Sequence, residues 1–180
     1  MTDRRVALLR GVNVGGAKRV PMADLRKIVE ALGYTDVRTL LNSGNVVFTV
    51  PPGASSDAAM RIEKAIERRL GVSTRVTVLM GKEVAAAVRK NPLGSVAHDP
   101  ARLLVLAFPD PKAMARLKPL AKESWEPEIL ALGSRVAYLW CAGGIVESRL
   151  WSAASKSLRH ECTARNLTTM TKLLALLEAT

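Results

Sequence analysis

Apolar residues recur in two rhythms along this chain, short unbroken runs and helical i, i+3, i+4 spacings, and the two alternate in a repeated order. Val6-Ala7-Leu8-Leu9, between Arg5 and Arg10, is a run of buried-strand type. Leu25, Ile28, Val29 and Leu32 follow at helical spacing, with Pro21 placed to open that helix and Gly33 to close it. Val37–Leu41 and Val46–Val50 read as two strands joined through Asn42-Ser43-Gly44-Asn45, a strong turn signal. Pro51-Pro52-Gly53 stops the second of them, and Ser56 is a candidate cap for a helix carrying Met60, Ile62, Ala65, Ile66 and Leu70. Thr74–Leu79 alternates as a strand. The order to this point is βαββαβ, and a short helix at Glu83–Arg89 runs on to the breaker Asn91-Pro92.

The pattern then starts again. Leu103–Phe108 is a buried strand, and Asp110-Pro111 opens a helix with Met114, Leu117 and Leu120. Ile129–Leu132 and Val136–Trp140 flank the turn Gly133-Ser134, and Val146–Leu158 has a helical apolar stripe. His160–Thr163 reads as a short strand, and Thr168–Leu177 as a last helix with Thr168 as its N-cap. The expected fold is therefore α/β of the α+β type: two ferredoxin-like βαββαβ halves in tandem, 1–91 and 92–180, with mostly antiparallel sheets and helices packed on them.

Composition narrows the setting. At 180 residues and 48% hydrophobic, the chain can build a packed core without disulfides. Its two cysteines, Cys141 and Cys162, lack metal-ligand spacing, and with two histidines no metal site and no cofactor are called for. No apolar run approaches a membrane span, and Met1–Leu9 lacks the form of a secretory leader, so a soluble protein of the reducing cytoplasm with no membrane partner is expected. The formal net charge is +11, and residues 1–90 hold 16 Lys/Arg against 8 Asp/Glu. A basic surface of that kind draws phosphorylated ligands, nucleic acid or anionic membranes, or is simply solvated.

The charge bears on one segment in particular. Arg10-Gly11-Val12-Asn13-Val14-Gly15-Gly16-Ala17-Lys18-Arg19 lies between the first strand and the first helix, the setting in which backbone amides and a helix dipole hold phosphate. Gly11 and Gly16 have P-loop spacing, but Ala17-Lys18-Arg19 replaces the Lys-Ser/Thr that such a loop needs. In a βαββαβ unit this loop and the Asn42–Asn45 turn share one edge of the sheet. The candidate anion-binding residues are thus Arg10, Gly11, Asn13, Gly15, Gly16, Lys18, Arg19, Ser43, Gly44 and Asn45, and the alternative is ordinary turn chemistry. Secondary candidates are Ser148, Arg149, Arg165 and Asn166, for which the structural reading is favoured. His160 and Cys162, two apart on an expected strand, read as structural, and no catalytic residue stands out.

These segments resemble a bacterial family of unknown function, DUF1697. The resemblance rests on Leu8-Leu9-Arg10-Gly11-Val12-Asn13-Val14-Gly15-Gly16, on Val20-Pro21-Met22-Ala23-Asp24-Leu25 and on Ser43-Gly44-Asn45-Val46-Val47-Phe48. It continues through Asn91-Pro92-Leu93, Tyr138-Leu139-Trp140, Ser148-Arg149-Leu150 and Thr163-Ala164-Arg165-Asn166. It departs at Val146-Glu147 and at Leu167-Thr168, where the family pattern has other residues. What it implies is a two-lobed α/β fold and no particular activity.

Three function classes remain open at this level. The leading one is binding of an anionic, phosphorylated or nucleotide-like small molecule at the basic loop, by a binding protein or an enzyme of unstated reaction. Nucleic-acid binding is the second, although Phe48 is the sole aromatic of the first-half strands and no RNP1 pattern occurs. A ligand-free interaction role, for instance self-association in an unstated oligomer, is the third.

Overall fold

The computed structural model describes residues 3–54 and 56–179. Met1 and Thr2, the start of the segment read above for a leader, lie outside the described residues, as do Ser55 and Thr180. The element order is β1 (Asp3–Leu9), α1 (Met22–Ala31), β2 (Thr35–Leu40), β3 (Asn45–Val50), α2 (Ala58–Leu70), β4 (Val76–Met80) and α3 (Gly81–Arg89). Then come β5 (Leu103–Ala107), a 3₁₀ segment (Pro111–Leu117) running into α4 (Lys118–Ala121), β6 (Ile129–Leu132), β7 (Val136–Trp140), α5 (Arg149–Leu158), β8 (Thr163–Asn166) and α6 (Leu167–Glu178). The chain divides into two compact units, Met1–Val84 with Leu173–Thr180, and Ala85–Lys172.

In the first unit the sheet order is β2-β3-β1-β4, all antiparallel, so Val6 faces Val47 on one side and Leu79 on the other. One face of this sheet presents Ala7, Leu9, Val46, Phe48 and Val50 to Leu25, Ile28 and Val29 of α1 and to Ile62, Ala65 and Ile66 of α2. Strand β3 is buried along its whole length and β1 from Val6 onward. Burial on both faces explains why these strands read as unbroken apolar runs instead of alternating. At the other end of β1, the Arg4 guanidinium donates to the carbonyls of Leu177 (2.5 Å), Ala179 (2.6 Å) and Leu176 (3.2 Å), the closing turn of α6. Those carbonyls have no partner inside the helix, and a cation suits the negative end of its dipole.

The second unit repeats the plan in the order β6-β7-β5-β8, with Val105 facing Tyr138 and Arg165. Leu104, Leu106, Ala137 and Leu139 pack against Met114, Leu117 and Leu120 and against Leu150, Ala154 and Leu158 of α5. The Asp110 carboxylate accepts from the Lys112 amide at 2.9 Å and starts the 3₁₀ segment, with Pro111 supplying a fixed φ where no amide is needed. Trp125 and Trp151 pack against this core, and Trp140 is buried.

Four local expectations are corrected. Pro21 is the residue before α1, extended at φ −61° and ψ 135°, rather than its first helical position. Asp57, not Ser56, precedes α2. α5 begins at Arg149 rather than Val146, which is 94% exposed. The last strand is Thr163–Asn166, displaced from His160–Thr163, and Thr168 lies inside α6, where the Asn166 side-chain oxygen accepts from the Thr169 amide at 2.9 Å as the cap.

Candidate functional site

β1 delivers the chain to a root that is held from two sides. The Leu9 amide donates to the Gly44 carbonyl (2.8 Å), and the Arg10 amide to the Arg75 carbonyl (2.9 Å). The Thr74 hydroxyl donates to the Arg10 carbonyl at 2.9 Å. The basic glycine loop and the β2–β3 turn are therefore neighbours at one sheet edge.

Beyond the root, the loop is a miniature hairpin. The Asn13 amide donates to the Lys18 carbonyl (3.1 Å) and the Ala17 amide to the Val14 carbonyl (3.3 Å). Gly15 and Gly16, at φ +60° and +78°, form its two-residue tip with the positive angles of a type I′ turn. A Cβ added at Gly11, Gly15 or Gly16 would meet nothing within 4 Å, so backbone conformation and not crowding calls for glycine there.

Asn13 fastens this hairpin. Its side-chain oxygen accepts from the Val20 amide (2.8 Å), and its Nδ2 donates to the carbonyls of Val20 (2.8 Å) and Asn42 (2.6 Å). Asn45 is fully buried and turns inward too, its Nδ2 donating to the Leu40 carbonyl (2.8 Å) and the Ser43 hydroxyl (2.9 Å). Gly44 is a packing position: a Cβ there would stand 2.6 Å from Leu9 Cβ and 2.8 Å from Val12 Cγ2. Of the ten primary candidates, then, Asn13, Gly44 and Asn45 hold the edge together. Gly11, Gly15, Gly16, Lys18, Arg19 and Ser43 are exposed, and Arg10 is half-buried at the root.

Where the hairpin meets α1 there is a concavity of ≈ 310 Å³, lined by Asn13, Arg19, Val20, Pro21, Met22 and Asn42. α1 starts here without a side-chain cap, since Pro21 offers only its carbonyl, which accepts from Asp24 and Leu25 (3.1 and 3.0 Å). Asp24 stands half-buried in the first turn. Asn42, Pro21 and Met22 are residues of this site that spacing along the sequence did not single out. Pro21 and Met22 come to it as the chain enters α1, and Asn42 through the docking of the β2–β3 turn on the end of β1.

The secondary candidates sit in the second unit, Ser148 and Arg149 at the start of α5 and Arg165 and Asn166 on β8. Ser148 is the N-cap of α5: its Oγ accepts from the Trp151 amide (2.9 Å) and donates to the Glu128 carboxylate, which also accepts from the amides of Arg149 (3.1 Å) and Leu150 (3.3 Å). Cys141 lies close to this cluster, and burial pushes its thiol up despite the Ser148 hydrogen bond. Arg149 itself is exposed. Arg165 on β8 donates to the Ala164 carbonyl (2.9 Å), and burial lowers its pKa to about 10. His160 is exposed in the turn before β8 and Cys162 buried, so the two do not share a strand face. Among the described residues no group of three or more His, Cys, Asp or Glu could hold a metal ion. No described helix is long and apolar enough to cross a membrane.

Two tandem βαββαβ units, each with a four-stranded antiparallel sheet, define the class of protein. The profile described as Protein of unknown function (DUF1697) matches residues 1–138, and the chain belongs to that family. The match contains the glycine hairpin and the β2–β3 turn; Ser148-Arg149-Leu150 and Thr163–Asn166 lie beyond it. Among solved structures, the conserved bacterial protein SP0830 from Streptococcus pneumoniae shares the fold with a TM-score of 0.80 at 23% identity, over 99% of this chain and 100% of that one. No curated protein matches the chain.

Proposed function

We propose that the first unit binds an anionic small molecule, phosphorylated or nucleotide-like, where the glycine hairpin meets α1. The observation that carries this reading is the ≈ 310 Å³ concavity that joins exposed Arg19 to the uncapped start of α1. A helix N-terminus carries about half a positive charge, and a guanidinium matches phosphate with paired donors. Lys18 and Arg10 add charge beside it. Asn13 already fixes the hairpin, so little ordering is left to oppose binding. Among the described residues no nucleophile–base pair lines the concavity, and binding is proposed without a reaction. The setting is a reducing cytoplasm, a reading supported by two buried cysteines that form no disulfide.

This is preferred over nucleic-acid binding because Phe48 is fully buried and packs on Tyr34 with ring centroids 4.8 Å apart, which removes the first-sheet aromatic from base stacking. Calorimetric titration with inorganic phosphate, a sugar phosphate and a nucleoside monophosphate tests it. Arg19→Ala combined with Lys18→Ala is expected to weaken binding about tenfold or more, by loss of charge-assisted hydrogen bonds. Asp24→Asn is expected to tighten it by roughly two- to fivefold, since Asp24 competes for the same helix end. Unchanged affinity in both variants, or no saturable binding by the wild type, sinks the proposal and leaves a ligand-free interaction role.

A further inference from the structure

The loop edge of the first unit displays apolar side chains that folding does not call for. Val14 is 68% exposed and Leu41 52% exposed. Leu41 is also in the left-handed region, at φ +57°, where glycine or asparagine is the ordinary occupant. A half-exposed leucine held at positive φ is a position whose strain points to a function. The two residues stand on adjoining segments, since Val14 follows Asn13, Leu41 precedes Asn42, and the Asn13 Nδ2 donates to the Asn42 carbonyl at 2.6 Å. Segments 10–20 and 37–50 at this edge contain Arg10, Lys18, Arg19 and Arg38 and no Asp or Glu, while Asp24 stands half-buried in the first turn of α1. Lys18 and Arg19 are exposed on the same small hairpin as Val14.

We infer that this edge docks on an anionic lipid surface, with Val14 and Leu41 entering the interface and the cations meeting headgroup phosphates. The inference rests on the anion-binding reading above and names the source of the phosphate. Apolar tips among basic side chains suit the boundary between acyl chains and headgroups, where burial and electrostatic attraction add. A second copy of this chain meeting it edge to edge offers no such charge match, since it carries the same cations there. With two apolar side chains and a few cations, the contact is reversible and depends on anionic lipid.

Co-sedimentation with phosphatidylcholine vesicles, with and without phosphatidylglycerol, tests the inference. The wild type is expected on the anionic vesicles only, and less so as salt rises. Lys18→Gln is expected to weaken that partitioning about fivefold. Val14→Ser with Leu41→Asn is expected to weaken it about tenfold or more, while asparagine keeps the left-handed backbone and circular dichroism keeps the wild-type fold. The same double variant should bind inorganic phosphate as the wild type does. Phosphate binding without vesicle recruitment overturns the lipid surface and leaves the small-molecule reading standing. Recruitment that the double variant retains in full also overturns it, since general charge is then sufficient.

Discussion

A single added methyl group separates two kinds of glycine at the loop edge. Gly44 and Gly15 both have positive φ, but a Cβ on Gly44 collides with Leu9 and Val12, while one on Gly15 meets open space. Gly44→Ala is therefore expected to destabilise the protein by roughly 2–4 kcal/mol, adding overpacking to left-handed strain. Gly15→Ala is expected to cost about 1–2 kcal/mol, from backbone conformation alone. Urea unfolding of the two variants measures the difference; equal midpoints would place Gly44 among the purely conformational glycines. Residue types along the sequence located the turn and the basic loop but not the direction in which each side chain spends its hydrogen bonds. Asn13, Gly44 and Asn45 look like ligand groups because short polar residues and glycines also build turns, and only the docking of the β2–β3 turn on the end of β1 separates the two uses.

Helix and strand cores were legible wherever apolar spacing was regular. α1, α2, β3, β6 and β7 lie where their patterns place them, to within a residue or two. The misplaced ends are those set by partners distant in sequence. α5 starts at Arg149 because the Glu128 carboxylate, twenty residues upstream, accepts from the Ser148 hydroxyl and from the first two helical amides. Nothing in Val146–Ser148 announces that. Glu128→Ala removes an acceptor shared by three donors and is expected to cost about 1–3 kcal/mol by thermal unfolding. Glu128→Gln, which keeps a neutral acceptor, should recover part of the loss. If both variants unfold like the wild type, the α5 cap is carried by Ser148 alone.

For the molecule as a whole, the repeated βαββαβ order was readable because each half recapitulates strand, helix, hairpin, helix, strand, and both sheets take the same strand order. The membership of the last helical segment was not readable, since periodicity says which face of a helix is apolar and not which core receives it. Residues 173–180 are grouped with the first unit, and Arg4 holds the end of α6. Deleting 173–180 removes the buried Leu173, Leu174 and Leu177, whose burial is worth about 1.5–3 kcal/mol each. Hydrogen-exchange mass spectrometry is expected to show protection lost in β1 and β3 and retained in β5 and β7. Protection lost equally from all four strands would mean that the two units unfold together.

The Arg4 contact also constrains how the chain comes off the ribosome. Strand β1 is made 172 to 175 residues ahead of the carbonyls that receive its arginine. At ordinary synthesis rates the intervening unit takes on the order of ten seconds to emerge. For that interval the early sheet, with its four strands made, waits without its closing piece, its apolar surface available to chaperones or to misassociation, while the later sheet receives its last strand, β8, just ahead of α6. Vectorial synthesis thus reverses the order that sequence position suggests, and the unit begun first is the one completed last.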